Sequence, residues 1–211
     1  TTPPYSITPT QINYDFRANS NSGSAGITAI AVDNPANPQH IYAAAEDGTF
    51  FYSNDNGINW NKASSFEGPY PWWLYGSSIV VSKINPSTIW YAGSGYSNPA
   101  VYVSNDGGLT FRPIATGLPN TLVTEIITNP EETMLFAATE SGPYVYIAAE
   151  EKWYPMMGAA VPLQHYTSVE YIVKENTVRF GTYGRGLWDF KIESALSSGL
   201  FSFTATVSNQ D

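Results

Sequence analysis

Three acidic side chains, a group of aromatic rings and one arginine are the residues of this chain whose types and placement could act on another molecule. Asp47, Glu67 and Glu140 each fall in a short loop marked by glycine or proline. Two carboxyl groups held about 5 to 9.5 Å apart across a cleft are what hydrolysis of a glycosidic bond requires. Nothing in the spacing sets their separation, and solvated loop acids are what such positions ordinarily hold. Trp72, Trp73, Tyr75 and Tyr96 form a second set. Rings of this kind stack on sugars or anchor a protein surface, and the alternative is that the paired tryptophans pack as core. Arg185 stands between Gly184 and Gly186, where its fork could hold a carboxylate or phosphate or form the tip of a hairpin turn.

Other chemistries find no support. The chain has no cysteine, so it has neither disulfides nor a thiolate metal site. His40 and His165 lack a metal-ligand spacing, no Gly-x-Ser-x-Gly elbow occurs, and the Asp-x-Asp-x-Asp-Gly pattern of a calcium loop with its distal glutamate is absent. No metal or cofactor is expected. Nine basic against eighteen acidic residues give a net charge of −9, which opposes approach to nucleic-acid phosphate or anionic lipid. No apolar run nears the roughly eighteen residues that span a bilayer, and no basic, then apolar, leader opens the sequence. Nucleic-acid partners and membrane insertion are therefore not expected, and the chain reads as a mature product or a fragment.

The elements that would position these residues follow from a repeat. An Asn-Pro turn leading into a strand occurs as NPQHIYAAA from Asn37, NPSTIWYAG from Asn85 and NPEETMLFAAT from Asn129, and ENTVRFGT from Glu175 is a fourth copy without the proline. Aligned on Tyr42, Tyr91, Phe136 and Phe180, the copies are 49, 45 and 44 residues apart, a period that fits one four-stranded propeller blade. Each unit divides into alternating runs of five to seven residues bounded by Gly, Pro, Asn or Asp, the signature of short strands. Aromatic content of 15% with charged content of only 13% suits half-buried pleated surfaces. The expectation is an all-β fold, a β-propeller of four-stranded antiparallel blades with about four blades in this chain. Their bounds are 25–64, 75–116, 121–160 and 166–193. Residues 1–24 read as a linker in which Gln11 to Arg17 could be the outer strand of a preceding blade. Residues 194–211 read as a connector or a closing strand. Four blades left as an open arc would expose two apolar faces, so the expected whole is a ring of seven or eight, with the remaining blades supplied by an upstream segment or a second chain.

Two units share one hairpin sequence, SNDNGINW at Ser53 to Trp60 and SNDGGLTF at Ser104 to Phe111. Ser53, Asp55, Gly57 and Trp60 in the first, with Ser104, Asp106, Gly108 and Phe111 in the second, are expected to act structurally. The aspartate accepts backbone hydrogen bonds, the glycine takes positive φ and the aromatic plugs the neighbouring strand. These hairpins resemble the Asp-box of the bacterial neuraminidase (BNR) repeat, and in the third unit IAAEEKWY from Ile147 keeps only the tryptophan. YPWWLYGS at Tyr70, GSGYSNPAVYVSNDGG at Gly93, LFAATESGPYVY at Leu135 and VRFGTYGRGLWDF at Val178 extend the resemblance to the C-terminal blades of secreted bacterial BNR-repeat propeller proteins, over about Gly26 to Glu193. In blade design these are similar to xyloglucanase-type glycosidases and sortilin-type propellers. The resemblance implies a secreted or cell-surface protein, a type IX secretion context, and a polysaccharide or cell-surface protein as partner. It does not bring sialidase chemistry, because the chain holds only Arg17, Arg112, Arg179 and Arg185 where that chemistry clusters arginines around a carboxylate.

In an antiparallel four-stranded blade the first and third turns lie at one end, and the second turn and the interblade crossover at the other. Asp-boxes are third turns and share a face with the Asn-Pro turns. The opposite face collects Asp47, Glu67, Tyr70, Trp72, Trp73, Tyr75, Tyr96, Glu140 and Arg185, and is where a ligand is expected. The leading expectation is a binding or structural module for glycan or protein, not itself an enzyme. The alternative is part of a xyloglucanase-like glycoside hydrolase whose active site needs a second propeller segment.

Overall fold

The computed structural model describes residues 11–33, 39–64, 66–69, 78–158, 161–193 and 203–208. Among the described residues sixteen strands form four separate four-stranded sheets, each an antiparallel meander in chain order. The first holds β1 (Ile27–Val32), β2 (Ile41–Ala45), β3 (Phe50–Ser53) and β4 (Asn61–Lys62). The second holds β5 (Ser78–Val81), β6 (Ile89–Ala92), β7 (Val101–Ser104) and β8 (Arg112–Pro113). The third holds β9 (Val123–Thr128), β10 (Met134–Thr139), β11 (Gly142–Ile147) and β12 (Lys152–Pro155). The fourth holds β13 (Tyr166–Ile172), β14 (Thr177–Thr182), β15 (Leu187–Ile192) and β16 (Phe203–Ser208). The chain is an all-β partial propeller, as its repeat predicts. β16 completes the fourth blade, so the run after Phe201 supplies the strand that the repeat lacks.

The sheets are held together face to face. Because side chains alternate across a strand, β2, β6 and β10 each feed two clusters. Tyr42, Ala44 and Phe50 of blade 1 meet Ile89 and Tyr91 of blade 2. Trp90, Val101 and Val103 on the other face of blade 2 meet Ile126, Leu135 and Trp153 of blade 3. Phe136 and Val145 of blade 3 meet Val169, Phe180 and Phe190 of blade 4. The innermost strands adjoin one another directly: Ile126 N donates to Ser78 Oγ at 3.1 Å, Val169 N to Glu125 Oε2 at 2.8 Å, and Thr124 Oγ1 to the Tyr166 carbonyl at 2.9 Å.

These clusters correct the register of the repeat. Tyr42 and Phe136 project toward the following blade, whereas Tyr91 and Phe180 project toward the preceding one. The equivalent residues are Tyr42, Trp90, Phe136 and Arg179, spaced by 48, 46 and 43 residues. Ser53 opposite Ile41 and Ser104 opposite Ile89 fix the first pair. Thr139 and Thr182, whose hydroxyls donate to the carbonyls of Gly142 and Gly186 across the next turn, fix the last. Matching aromatic to aromatic slipped two units by one residue, and a one-residue slip exchanges the faces of a strand.

The outer strands β4 and β8 are two residues long, against the five or six predicted, because the Asp-boxes take the preceding residues into the turn. The N-terminal stretch packs on blade 1. Gln11 to Asp15 form no strand, and Phe16–Asn19 is one helical turn capped by Asp15, whose Oδ1 accepts from Ala18 N at 2.9 Å. Phe16 lies edge-on to Trp60 with centroids 4.7 Å apart and to Phe51 at 5.3 Å, and Tyr14 packs beside it.

Candidate functional site

Main-chain contacts confirm how the turns divide between two faces. On one, Asn56 N donates to the Gln39 carbonyl at 3.0 Å, Gly107 N to Ser87 at 2.9 Å and Ala148 N to Thr133 at 3.0 Å, joining each third turn to the first turn of its blade. On the other, Asn98 Nδ2 donates to the Gly68 carbonyl at 2.9 Å. Gly95 N donates to Thr121 at 2.9 Å, Glu140 N to Leu122 at 3.1 Å, and Tyr183 N to His165 at 3.1 Å. Second turns and crossovers thus build one continuous loop face.

The Asp-boxes are self-satisfied turns. Ser104 Oγ donates to Asp106 Oδ1 at 2.7 Å and accepts from Gly108 N at 2.9 Å. Asp106 further accepts from Leu109 N at 3.1 Å, Thr110 N at 2.9 Å and Thr110 Oγ1 at 2.5 Å. Ser53, Asp55 and Gly57 repeat the pattern, with Asn59 in place of the threonine, and Trp60 Nε1 donates to the Gly57 carbonyl at 3.0 Å. Gly57 and Gly108 hold φ of 82° and 89°, a region that L side chains avoid. The box aromatics serve the neighbouring blade: Phe111 stacks on Phe66 at 4.4 Å. Trp153, the remnant of the third box, donates from Nε1 to the Ile114 carbonyl at 2.6 Å.

On the loop face the structure brings together Tyr96 and Glu140, 44 residues apart in sequence. The Tyr96 hydroxyl donates to Glu140 Oε2, bridging the second turns of blades 2 and 3. That hydrogen bond, with some burial, raises the phenol's pKa above its ordinary value. Tyr96 remains 47% exposed, so it is open to a ligand. It borders a pocket of about 270 Å³ that also takes in Asn98, Pro99, Leu118, Pro119 and Asn120. Apolar surface, two amides and a ring whose hydroxyl is bonded to a carboxylate are the ingredients of a site for a polar, ring-shaped molecule. The crossover residues Leu118, Pro119 and Asn120 escaped the sequence reading because that connection is short, although the rule that sorts turns to this face also sorts it there.

The other described candidates make no hydrogen bond to this pair. Asp47 is tied into its own turn, accepting from Ser22 N at 2.7 Å, Thr49 N at 3.1 Å and Thr49 Oγ1 at 2.5 Å. Burial raises its carboxyl, but those hydrogen bonds outweigh burial and leave it below the usual value. Glu67 is exposed on the crossover from blade 1, where its charge adds to the burial that pushes the Tyr102 phenol up to about 12. Its backbone is wedged: Gly48 and Gly68 lie so close that a Cβ on Gly68 would stand 2.1 Å from the Gly48 carbonyl oxygen. Arg185 is exposed at the tip of the β14–β15 turn, its N–H bonded to Thr182 Oγ1 at 3.1 Å. It makes no ion pair among the described residues. Trp72, Trp73 and Tyr75 lie outside the described residues. Among the described residues no group of three or more His, Asp or Glu side chains could hold a metal ion, and no helix is long and apolar enough to cross a membrane.

No protein-family model matches the chain, and no curated protein matches it. Solved structures do. An ancestral GH74 enzyme superposes with a TM-score of 0.67 at 21% identity, covering 88% of this chain and 28% of that one. The GH74 xyloglucanase from Xanthomonas campestris gives 0.60 at 16% identity over 76% of this chain and 27% of its own. A GH74 enzyme from Niastella koreensis gives 0.59 at 19% identity over 84% and 29%. At these identities the likeness is one of fold, and the chain spans less than a third of each of those enzymes.

Proposed function

We propose that this chain is four blades of a larger, secreted or cell-surface Asp-box propeller, and that its loop face binds a glycan. The single observation that carries the reading is the half-exposed Tyr96, bonded to Glu140 of blade 3 and lining the pocket between the second turn of blade 2 and the crossover that leaves that blade. Tyr96 is the stacking platform, while Glu140, Asn98 and Asn120 take hydroxyl groups. Arg185, exposed at the tip of the β14–β15 turn, belongs to the same face and extends the contact. The extracellular setting rests on the Asp-box resemblance, and the use of neutral polysaccharide on the fold shared with GH74 enzymes. In this reading the chain binds and does not turn over its ligand, because Asp47 is consumed by its own turn in blade 1 and Glu140 has its Oε2 held by Tyr96, leaving Oε1 for a hydroxyl group.

Calorimetric titration with soluble xyloglucan and other neutral polysaccharides tests this. Tyr96→Ala should weaken binding about tenfold, the worth of one stacked ring at about 1.4 kcal/mol, and Tyr96→Ala with Trp73→Ala should weaken it further. Unchanged affinity in folded variants would remove the site. Likeness to GH74 enzymes favours a second reading, in which the chain carries part of a glycosidase active site. Release of reducing sugar that is lost in Glu140→Gln or Asp47→Asn would establish it.

A further inference from the structure

We infer that the face of blade 1 turned away from blade 2 is the seat of a further four-stranded blade, belonging to the same polypeptide N-terminal to Gln11. This rests on the reading of the chain as part of a larger propeller and adds which face is joined and by what.

Ile30 lies opposite Ala43, and its equivalents are Ile79 opposite Tyr91, Ile126 opposite Ala137 and Val169 opposite Phe180. Each of the later three is packed against the blade before it. Ile126 is 2% exposed and Val169 5%, whereas Ile30 is 67% exposed. One position, apolar in all four blades, is uncovered only where no blade precedes it.

The outer half of the same face is already covered, and in the manner of the other junctions. Phe66, on the segment leaving blade 1, stacks on the box aromatic Phe111 of blade 2. Ile114 and Thr116, leaving blade 2, accept from Trp153 of blade 3. Tyr14 and Phe16 meet the box aromatic Trp60 of blade 1 in the same way. Residues 14–16 therefore run where the segment leaving a preceding blade runs, which places that blade immediately upstream in the chain.

A second copy of this chain does not fit the seat. The surface that each blade offers its successor is an apolar cross-strand pair: Tyr42 with Tyr52, Trp90 with Val103, Phe136 with Val145. In blade 4 that pair is Arg179 with Asp189, joined by hydrogen bonds of 2.6 and 2.7 Å. Seating Ile30 there would strip water from an ion pair and return no apolar contact. The occupant must end in an apolar pair of the Tyr42 and Tyr52 kind.

Since the chain has no cysteine, Ile30→Cys gives a single reporter thiol. Its labelling by a maleimide is compared in the native polypeptide and in the 211-residue chain, with folding checked by near-UV circular dichroism. Ile84→Cys, at an exposed first-turn position away from the seat, is the control. Labelling at position 30 should be about 100-fold slower in the native polypeptide, where it requires local opening, and unchanged at position 84. A photo-crosslinker at position 30 should capture a peptide N-terminal to Thr1. Equal labelling in the two forms, or a crosslink to a second copy of this chain, overturns the inference while leaving the larger propeller standing. Intact mass showing that the native product is the 211-residue chain alone overturns both.

Discussion

Replacing Ser104 by alanine tests whether the Asp-box is a structural turn. Ser104 is 1% exposed and its hydroxyl is the acceptor for Gly108 N at 2.9 Å as well as the donor to Asp106 Oδ1 at 2.7 Å. Alanine leaves the Gly108 N–H without a partner in a buried turn, and Asp106 loses one donor but keeps Leu109 and Thr110. A buried donor left unsatisfied costs about 1 to 3 kcal/mol, so the expected loss is about 2 kcal/mol. For a domain of this size that lowers the melting temperature by about 4 to 8 °C. Urea titration followed by tryptophan fluorescence should show a lower midpoint at an unchanged m-value. Asn105→Ala, at an exposed position of the same turn, should stay within about 0.5 kcal/mol of the parent. If Ser104→Ala changes stability no more than Asn105→Ala, the turn does not depend on that hydroxyl. If it weakens glycan binding at constant stability, the box is a binding element and the assignment of faces is wrong.

Three further outcomes follow from the same structure. Gly48→Ala would place a Cβ 2.5 Å from the Glu67 carbonyl oxygen at a φ of +80°, so it should cost about 2 to 4 kcal/mol; a wild-type urea midpoint would show that the blade 1 crossover is not wedged there. The Asp47 and Asp106 carboxyls are both held below 3.8, their hydrogen bonds outweighing desolvation. Their contribution is present above that value and is lost as pH falls through the depressed folded values, so the midpoint should drop below about pH 4, less steeply in Asp47→Asn, and a flat acid limb would contradict this. Burial first, then the charge of Asp33 for Tyr42 and of Glu67 for Tyr102, pushes both phenols up to about 12. An unfolded tyrosine ionises near pH 10 while these keep their protons, so stability should fall from about pH 10 upward; ultraviolet titration showing Tyr42→Phe and Tyr102→Phe each to have removed an ordinary phenol would refute it.

The chain's local chemistry was written in its sequence. The Ser-x-Asp-x-Gly hairpins rest on hydrogen bonds between residues two to four apart, and a reader of residues can see partners at that range, as in the Asn-Pro turns and the alternation of the strands. Four antiparallel blades and the sorting of turns to two faces follow from that order of strands alone. What each strand points at did not follow, because an alternating apolar strand offers two faces and matching aromatic to aromatic chose the wrong one in blades 2 and 4. Only the stacking of blades decided that Tyr96 meets Glu140, that Tyr14 and Phe16 close over Trp60, and that Arg179 with Asp189 takes the place of an apolar pair. Those contacts join residues separated by as many as 46 positions or lying on different strands. They exist because separate sheets settle against one another as packed solids, and the shape of that packing is not a property of any one stretch of chain.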